Sequence, residues 1–385
     1  MRVMLALACG ALALPAPRPP APQIALESHF APHVDRTDRG VFVRYELHVA
    51  NRGTSAVRLH ALAVRDASTG ATLLDIAGDQ LRTALAVGQR GCNAAEGLVS
   101  PGGECAVYVD ANVTGTAPRA LRNSIAFVAD RVGGQADLDL PVPHDATPVL
   151  GPPLGRGTWV AVHHPGWARG HRRVFYAAAR GNVLPGRFAI DFVKVSPEGA
   201  VSCGDPDWPS DAFGYGDSVL AVADGRIAAV RDGVAESITI RGNPAHDPET
   251  APGNYVVLAL ARGKFATYEH LRPGSIRVRE GDRVRRGAVL GELGFTGDST
   301  DPHLHFHVSD SAAPLGGEGL PFLFDSLTLL GDYPDIARLG QGHWRDLPAK
   351  TVRRVRPGVN SVLSFFAPAS ADSASRTFAC AARAT

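Results

Sequence analysis

Between residues 41 and 49 the chain alternates, Phe42 apart: Val41, Val43, Tyr45, Leu47 and Val49 fall on one face, and Arg44, Glu46 and His48 on the other. That period of two predicts a half-buried strand, and Asn51-Arg52-Gly53 supplies a turn signal at its end. Stretches 57–64, 105–111 and 124–129 read as further short strands, so residues 23–145 are expected to form an immunoglobulin-like sandwich. The segment 146–157 carries several prolines and glycines and reads as a linker.

A second β-rich domain is expected over 158–345. Stretches 219–223 and 226–230 flank Asp224-Gly225, which predicts a tight hairpin. Stretches 255–261 and 265–268 flank Arg262-Gly263-Lys264, a second hairpin signal. Stretches 277–279, 284–286, 289–293 and 303–308 continue the run of short strands, and no helical period is sustained. The polar, Pro/Gly-containing stretch 232–253 predicts a long loop. Residues 346–385 are basic, then Ser/Ala-rich, and read as a C-terminal tail in which 362–366 is a candidate strand. The expected fold class is all-β, a sandwich followed by a sheet domain with long loops.

Composition agrees with this picture. The 42 glycines and 29 prolines among 385 residues suit short strands joined by turns. A formal net charge of +1 without a basic stripe gives no reason to expect a nucleic-acid partner. Arg2 followed by the apolar run 3–14 and by Pro15-Ala16-Pro17 predicts a signal peptide over 1–22, hence export to the periplasm or the exterior. The run is too short for a bilayer span. The rival reading, a lipidated Cys9, meets a poor context in Ala6-Leu7-Ala8-Cys9. Cys92 and Cys105 flank a Gly/Pro-containing loop and suit a disulfide in an oxidising compartment; Cys203 and Cys380 either form a second pair or stay as packed thiols.

The chemistry concentrates in His303-Leu304-His305-Phe306-His307, which holds three of the 14 histidines. On a strand these three imidazoles share a face, with neighbours roughly 7 Å apart. Imidazole serves equally as metal ligand and as general acid or base, and a plain surface ladder of histidines is the competing reading. Two other segments add to it. Phe188-Ala189-Ile190-Asp191-Phe192 places one carboxylate in an apolar strand, where it must be paired, hydrogen-bonded or metal-bound. Tyr268-Glu269-His270-Leu271 ends a strand on a histidine. Then follow Gly281-Asp282, Gly287, Leu290-Gly291, Gly294, Thr296-Gly297, Ser299-Thr300 and Pro302-His303-Leu304-His305.

In these motifs, residues 187–308 resemble the lysostaphin-type, LytM-like zinc endopeptidases, which cut bacterial cell-wall peptides. The resemblance implies a mostly antiparallel β-sheet peptidase domain with Zn2+ in a groove. It implies Asp191 and His305 as zinc ligands and His270 and His303 as catalytic histidines. The substrate it implies is a peptidoglycan peptide, attacked by metal-activated water. One departure is plain: four residues before Asp191, where the family carries a ligand histidine, stands Arg187, and a guanidinium does not ligate zinc. His171, in Gly170-His171-Arg172-Arg173, is the first candidate for the missing metal ligand; His307 is the second, or orients a neighbour. His163, His164 and His246 are weaker candidates.

Arg187 also supports an alternative, a metal-poor, catalytically degenerate module that binds cell wall or regulates other wall hydrolases. A biotinyl- or lipoyl-carrier reading of the 281–294 turns fails, because no lysine lies between Lys264 and Lys350. The sandwich is expected to be a spacer, a wall-binding element or a contact for a wall-associated protein partner.

Overall fold

The computed structural model describes residues 23–164, 167, 170–179 and 181–366. The proposed signal peptide, Cys9 and Cys380 lie outside them.

Two sheets enclose one apolar core in the N-terminal part. Gly40–Asn51 is the central strand of the first sheet, pairing with Ile24–Glu27, His33–Thr37 and Glu104–Val113, all antiparallel. The second sheet is built around Val57–Asp66 and Ala120–Ala129. Val43, Tyr45, Leu47 and Val49 are buried between the sheets, as their alternation requires. A disulfide joins Cys92 of the second sheet to Cys105 of the first. The opposite face of the Gly40–Asn51 strand departs from expectation. Arg44, Glu46 and His48 are only 5%, 4% and 6% exposed. The strand is buried on both faces, because arginines of the second domain meet its polar side.

The second part is organised on a ten-stranded, wholly antiparallel sheet. Its centre runs Asn254–Ala259, Phe265–Leu271, Leu304–Ser309, Ile190–Val195 and Thr158–Val162. The predicted hairpin over Arg262-Gly263-Lys264 forms, closed by Leu260 N–H donating to the Lys264 carbonyl at 2.7 Å. The one predicted over Asp224-Gly225 does not. Ser218–Leu220 pairs instead with Val289–Glu292 in a separate two-stranded sheet, while Gly225–Arg231 joins the large sheet beside Asn254–Ala259. Backbone donors between them go elsewhere: Val222 N–H to the Tyr268 hydroxyl and Ala221 N–H to the Ala288 carbonyl.

Two further segments are more ordered than the sequence suggests. In the expected linker, Val149–Leu150 pairs in parallel with Leu323–Phe324, and Leu150 and Leu154 are buried in the core. In the expected tail, Arg345–Val352 forms a sheet edge, and Ser361–Ser364 lies between Thr158–Val162 and Leu327–Asp332. Beneath the histidine-bearing face, Leu304, Phe306 and Val308 point into the core, where the Phe306 ring meets Tyr268 and Phe322 at 5.2 Å each. Burying each such side chain contributes about 1.5–3 kcal/mol, which fixes the register of the strand and thereby the opposite, functional face.

Candidate active site

Asp191 stands directly across from His305 in the pairing of Ile190–Val195 with Leu304–Ser309, and Glu269 stands across from His305 on the other side. Register alone therefore brings a carboxylate to each flank of the central histidine. His270, the next residue along, belongs by alternation on the core face. Its backbone turns instead to φ 64°, a left-handed conformation rare outside glycine. Both Glu269 and His270 consequently line the same cleft of 600 Å3, together with His171, Asp191, His303 and His305.

His171 arrives from a different direction, on the short 3-10 turn His171–Arg173. Its Nε2 lies 2.7 Å from Asp191 Oδ2, and His305 Nδ1 lies 2.9 Å from Asp191 Oδ1. One donor atom from each of the three residues falls within 4.8 Å of the others. Gly186 permits this approach: a Cβ added there would lie 2.7 Å from both Cβ and O of His171.

The hydrogen-bond partners assign the ring protons. His307 Nε2 lies 3.1 Å from the Pro314 carbonyl, and a carbonyl only accepts, so that nitrogen carries the proton. Burial and the neighbouring His305 push the His307 pKa well below its ordinary value, so the ring is neutral and Nδ1 is an acceptor. His305 Nε2, 3.1 Å away, is then the donor to it. Burial, then the charge of His171, lowers the His305 pKa to about 4, so at neutral pH its Nδ1 is left unprotonated, facing the Asp191 carboxylate. Two imidazoles and a carboxylate, with one side open to a cleft, are donors that suit catalytic zinc, so the residues fit the metal that the sequence resemblance implies.

The other two histidines are fixed through backbone carbonyls. His270 Nδ1 donates to Thr296 O at 2.7 Å and His303 Nδ1 to Asp301 O at 2.6 Å, so each leaves Nε2 for other partners. Their rings are 4.8 Å apart, and His303 Nε2 lies 3.3 Å from Asp191 Oδ1. Burial lowers His270 well below the usual imidazole range, with the His303 and His305 charges acting in the same sense. Burial also opposes charge on His303, but Asp191 overrides it and raises that pKa. Burial would raise the Asp191 carboxyl; His171 and His303 hold it well below the usual carboxylate range. Glu269, buried and then further raised by Asp191, reaches about 8.

Other sequence candidates sit apart from the donor cluster. His163 Nε2 bonds the Pro357 carbonyl at 3.0 Å, His164 stacks on Trp167, and His246 lies on the 232–253 loop. Tyr268 is a core residue whose hydroxyl accepts from Val222 N–H. Arg187 does not offer a metal ligand. Its guanidinium donates from Nε and Nη2 to Glu46 Oε2 at 2.9 and 2.7 Å, pairs through Nη1 with Glu318 Oε2 at 2.9 Å, and donates to the Gly319 carbonyl.

Glu46 and Glu269 are residues that the sequence pattern alone does not single out for the site. The position of Glu269 beside His270 was a usable signal; nothing in the neighbourhood of Glu46 pointed to residues 141 positions away.

Residues 211–316 match the model for Peptidase family M23. His270, His303 and His305 fall inside that match, and His171 and Asp191 precede it. Among solved structures, the chain is similar to a mutant catalytic domain of the prophage-encoded M23 protein EnpA from Enterococcus faecalis, at 20% identity over 46% of this chain and 93% of that one, with TM-score 0.26. It is similar to the catalytic domain of the antimicrobial peptidase lysostaphin from Staphylococcus simulans at 19% identity, over 43% and 88%, with TM-score 0.22. Similarity to the deep-sea M23 metalloprotease Pseudoalterin is 13%, over 56% and 99%, with TM-score 0.27.

Proposed function

We propose that this chain, which contains a peptidase family M23 domain, is an exported zinc metalloendopeptidase acting on peptides of the bacterial cell wall. The observation that carries the reading is the convergence of His171, Asp191 and His305 on one open cleft that also holds His270 and His303. A zinc ion held by the first three would supply Lewis-acid polarisation of the scissile carbonyl and acidify a water.

The chain's own groups account for the rest. His171 Nε2, one Asp191 oxygen and His305 Nδ1 are the metal donors, with His307 fixing the tautomer of His305 through its Nε2 proton. His270 and His303 present Nε2 in the same cleft, where each can take a proton from the attacking water, return it to the leaving amine, or steady negative charge on the former carbonyl oxygen. Export is supported by the Cys92–Cys105 disulfide, a bond suited to an oxidising compartment, and by the apolar run after Arg2. The cell-wall substrate is drawn from the motif resemblance.

Zinc content of the purified chain from Gln23 onward tests the reading, with His171→Ala alongside. One zinc per chain, lost in the variant, together with release of peptide fragments from peptidoglycan that His303→Ala abolishes, is the expected result. A chain that takes up no zinc at micromolar metal overturns it and favours the degenerate binding module, for which the replacement of the family histidine by Arg187 is the specific observation.

A further inference from the structure

We propose that the N-terminal sandwich is a working part of the metal site, and that Glu46 is the positioning residue that holds His171 beside Asp191. This rests on the reading of His171 as a metal donor.

His171 is followed immediately by Arg172, whose side chain leaves its own domain. Arg172 Nε lies 3.3 Å from Glu46 Oε1, Nη1 donates to Asp110 Oδ2 at 2.6 Å, and Nη2 donates to the carbonyls of Tyr45 and Val109 at 3.1 and 2.9 Å. All four acceptors belong to the sandwich. The next residue, Arg173, lies over the Tyr108 ring at 4.0 Å, and Phe175 stacks on the same ring. The turn that delivers the imidazole is thus seated on the sandwich.

Glu46 acts on a second element at once. Its Oε2 accepts both bonds from Arg187, which sits on the turn Pro185–Phe188 leading into the strand of Asp191. Gly186 of that turn lies against His171. One carboxylate therefore clamps the turn that carries His171 to the turn that precedes Asp191. The side chains of Glu46, Arg172 and Arg187 are 3%, 3% and 1% exposed, so solvent screens the clamp little. Without Glu46, Arg172 and Arg187 would also lose shared neutralisation close to a site that has to accept a divalent cation.

Cobalt(II) titration of the full chain from Gln23, followed by its visible absorption, tests the proposal in four proteins: parent, Glu46→Gln, His171→Ala and the double variant. Glu46→Gln is expected to weaken cobalt binding by roughly 10-fold to 100-fold and to alter the spectrum. In the His171→Ala background it should cost nothing more, because it acts through that ring. Glu46→Asp should recover part of the loss. Should Glu46→Gln fail to give the parent's far-ultraviolet circular dichroism, Arg172→Lys keeps the charge, loses the fork, and carries the same expectation. Parent-like affinity in these variants, or a loss that simply adds to that of His171→Ala, overturns the positioning role. A parent that binds no cobalt, or one indifferent to His171→Ala, overturns the metal-site reading itself, a separate result.

Discussion

Glu46 and Arg187, 141 residues apart, are joined by two hydrogen bonds of 2.9 and 2.7 Å into a single carboxylate oxygen. Burial opposes charge on both, yet the Glu46 carboxyl is held below its ordinary range by Arg187 and Arg172, and the Arg187 guanidinium is raised by Glu46 and Glu318. Arg187, four residues before Asp191, thus serves as an anchor between the two parts. His171 reaches Asp191 from an adjacent turn.

A histidine placed at position 187 should therefore cost stability without gaining metal affinity. In Arg187→His, Glu46 and Glu318 lose their shared partner in a buried site, and breaking such a pair costs about 3–5 kcal/mol. Urea unfolding at pH 7 should show that loss, and zinc affinity should not rise. Tighter zinc with unchanged stability would show that position 187 still belongs to the metal site.

Much of the sheet and of the site was legible in the chain because strand alternation ties sequence to face. His303, His305 and His307 share one face for the same reason that Leu304, Phe306 and Val308 share the core. His171 was recognisable as a candidate only because Arg187 left the shell short. Several features escaped. The left-handed backbone of His270 has no periodic signature. The Asp224-Gly225 turn signal was outweighed by partners far along the chain. The burial of Arg44, Glu46 and His48 depends on a second domain, which one strand's own pattern does not encode.

Acid should weaken the docking of the two parts in two stages. His33, whose ring meets Phe188 edge-on at 6.0 Å, has its pKa lowered from 6.5 to about 4 by burial and then by Arg187, against opposing contributions from Glu46 and Asp145. The unfolded chain binds that proton first, so stability falls as pH drops from 6.5 toward 4, by on the order of 3 kcal/mol at most. Asp35, bonded at both oxygens by Arg356 and 3.0 Å from Arg44 Nε, is buried but lowered to about 2 by those charges. Its contribution is present above pH 3.8 and is lost as pH falls through 2. Urea midpoints measured from pH 7 to 2 should show both limbs, with the upper one made shallower in His33→Phe and the remainder left to the buried His163, His270, His305 and His307, whose pKa values burial also lowers. A flat profile between 6.5 and 4 in the parent would contradict the assignment.

The two strand histidines should separate by readout. His305→Ala removes a proposed metal donor and should lower zinc content and turnover together. His303→Ala leaves His171, Asp191 and His305 in place, so zinc content should persist while turnover on a cell-wall peptide falls by about 10^2–10^4-fold. Zinc analysis and fragment release on the same preparations make the distinction. Parallel loss of metal in both variants would place His303 among the donors.

His307 tests the tautomer assignment. Its Nε2 proton is committed to Pro314 and its Nδ1 accepts from His305, which leaves His305 Nδ1 free to bind metal. His307→Phe removes that acceptor, lets the His305 proton redistribute to Nδ1, and should weaken zinc by roughly 10-fold to 100-fold in chelator competition. His307→Gln offers an amide oxygen to His305 and an amide N–H to the Pro314 carbonyl, so it should recover much of the affinity. Equal losses in Phe and Gln variants would instead identify His307 as a metal donor, through the alternative trio it forms with His305 and Glu269. That trio is buried on all three members, whereas His171 and Asp191 of the other trio are only partly buried and so open to an entering ion, which is why the orienting role is the expected outcome.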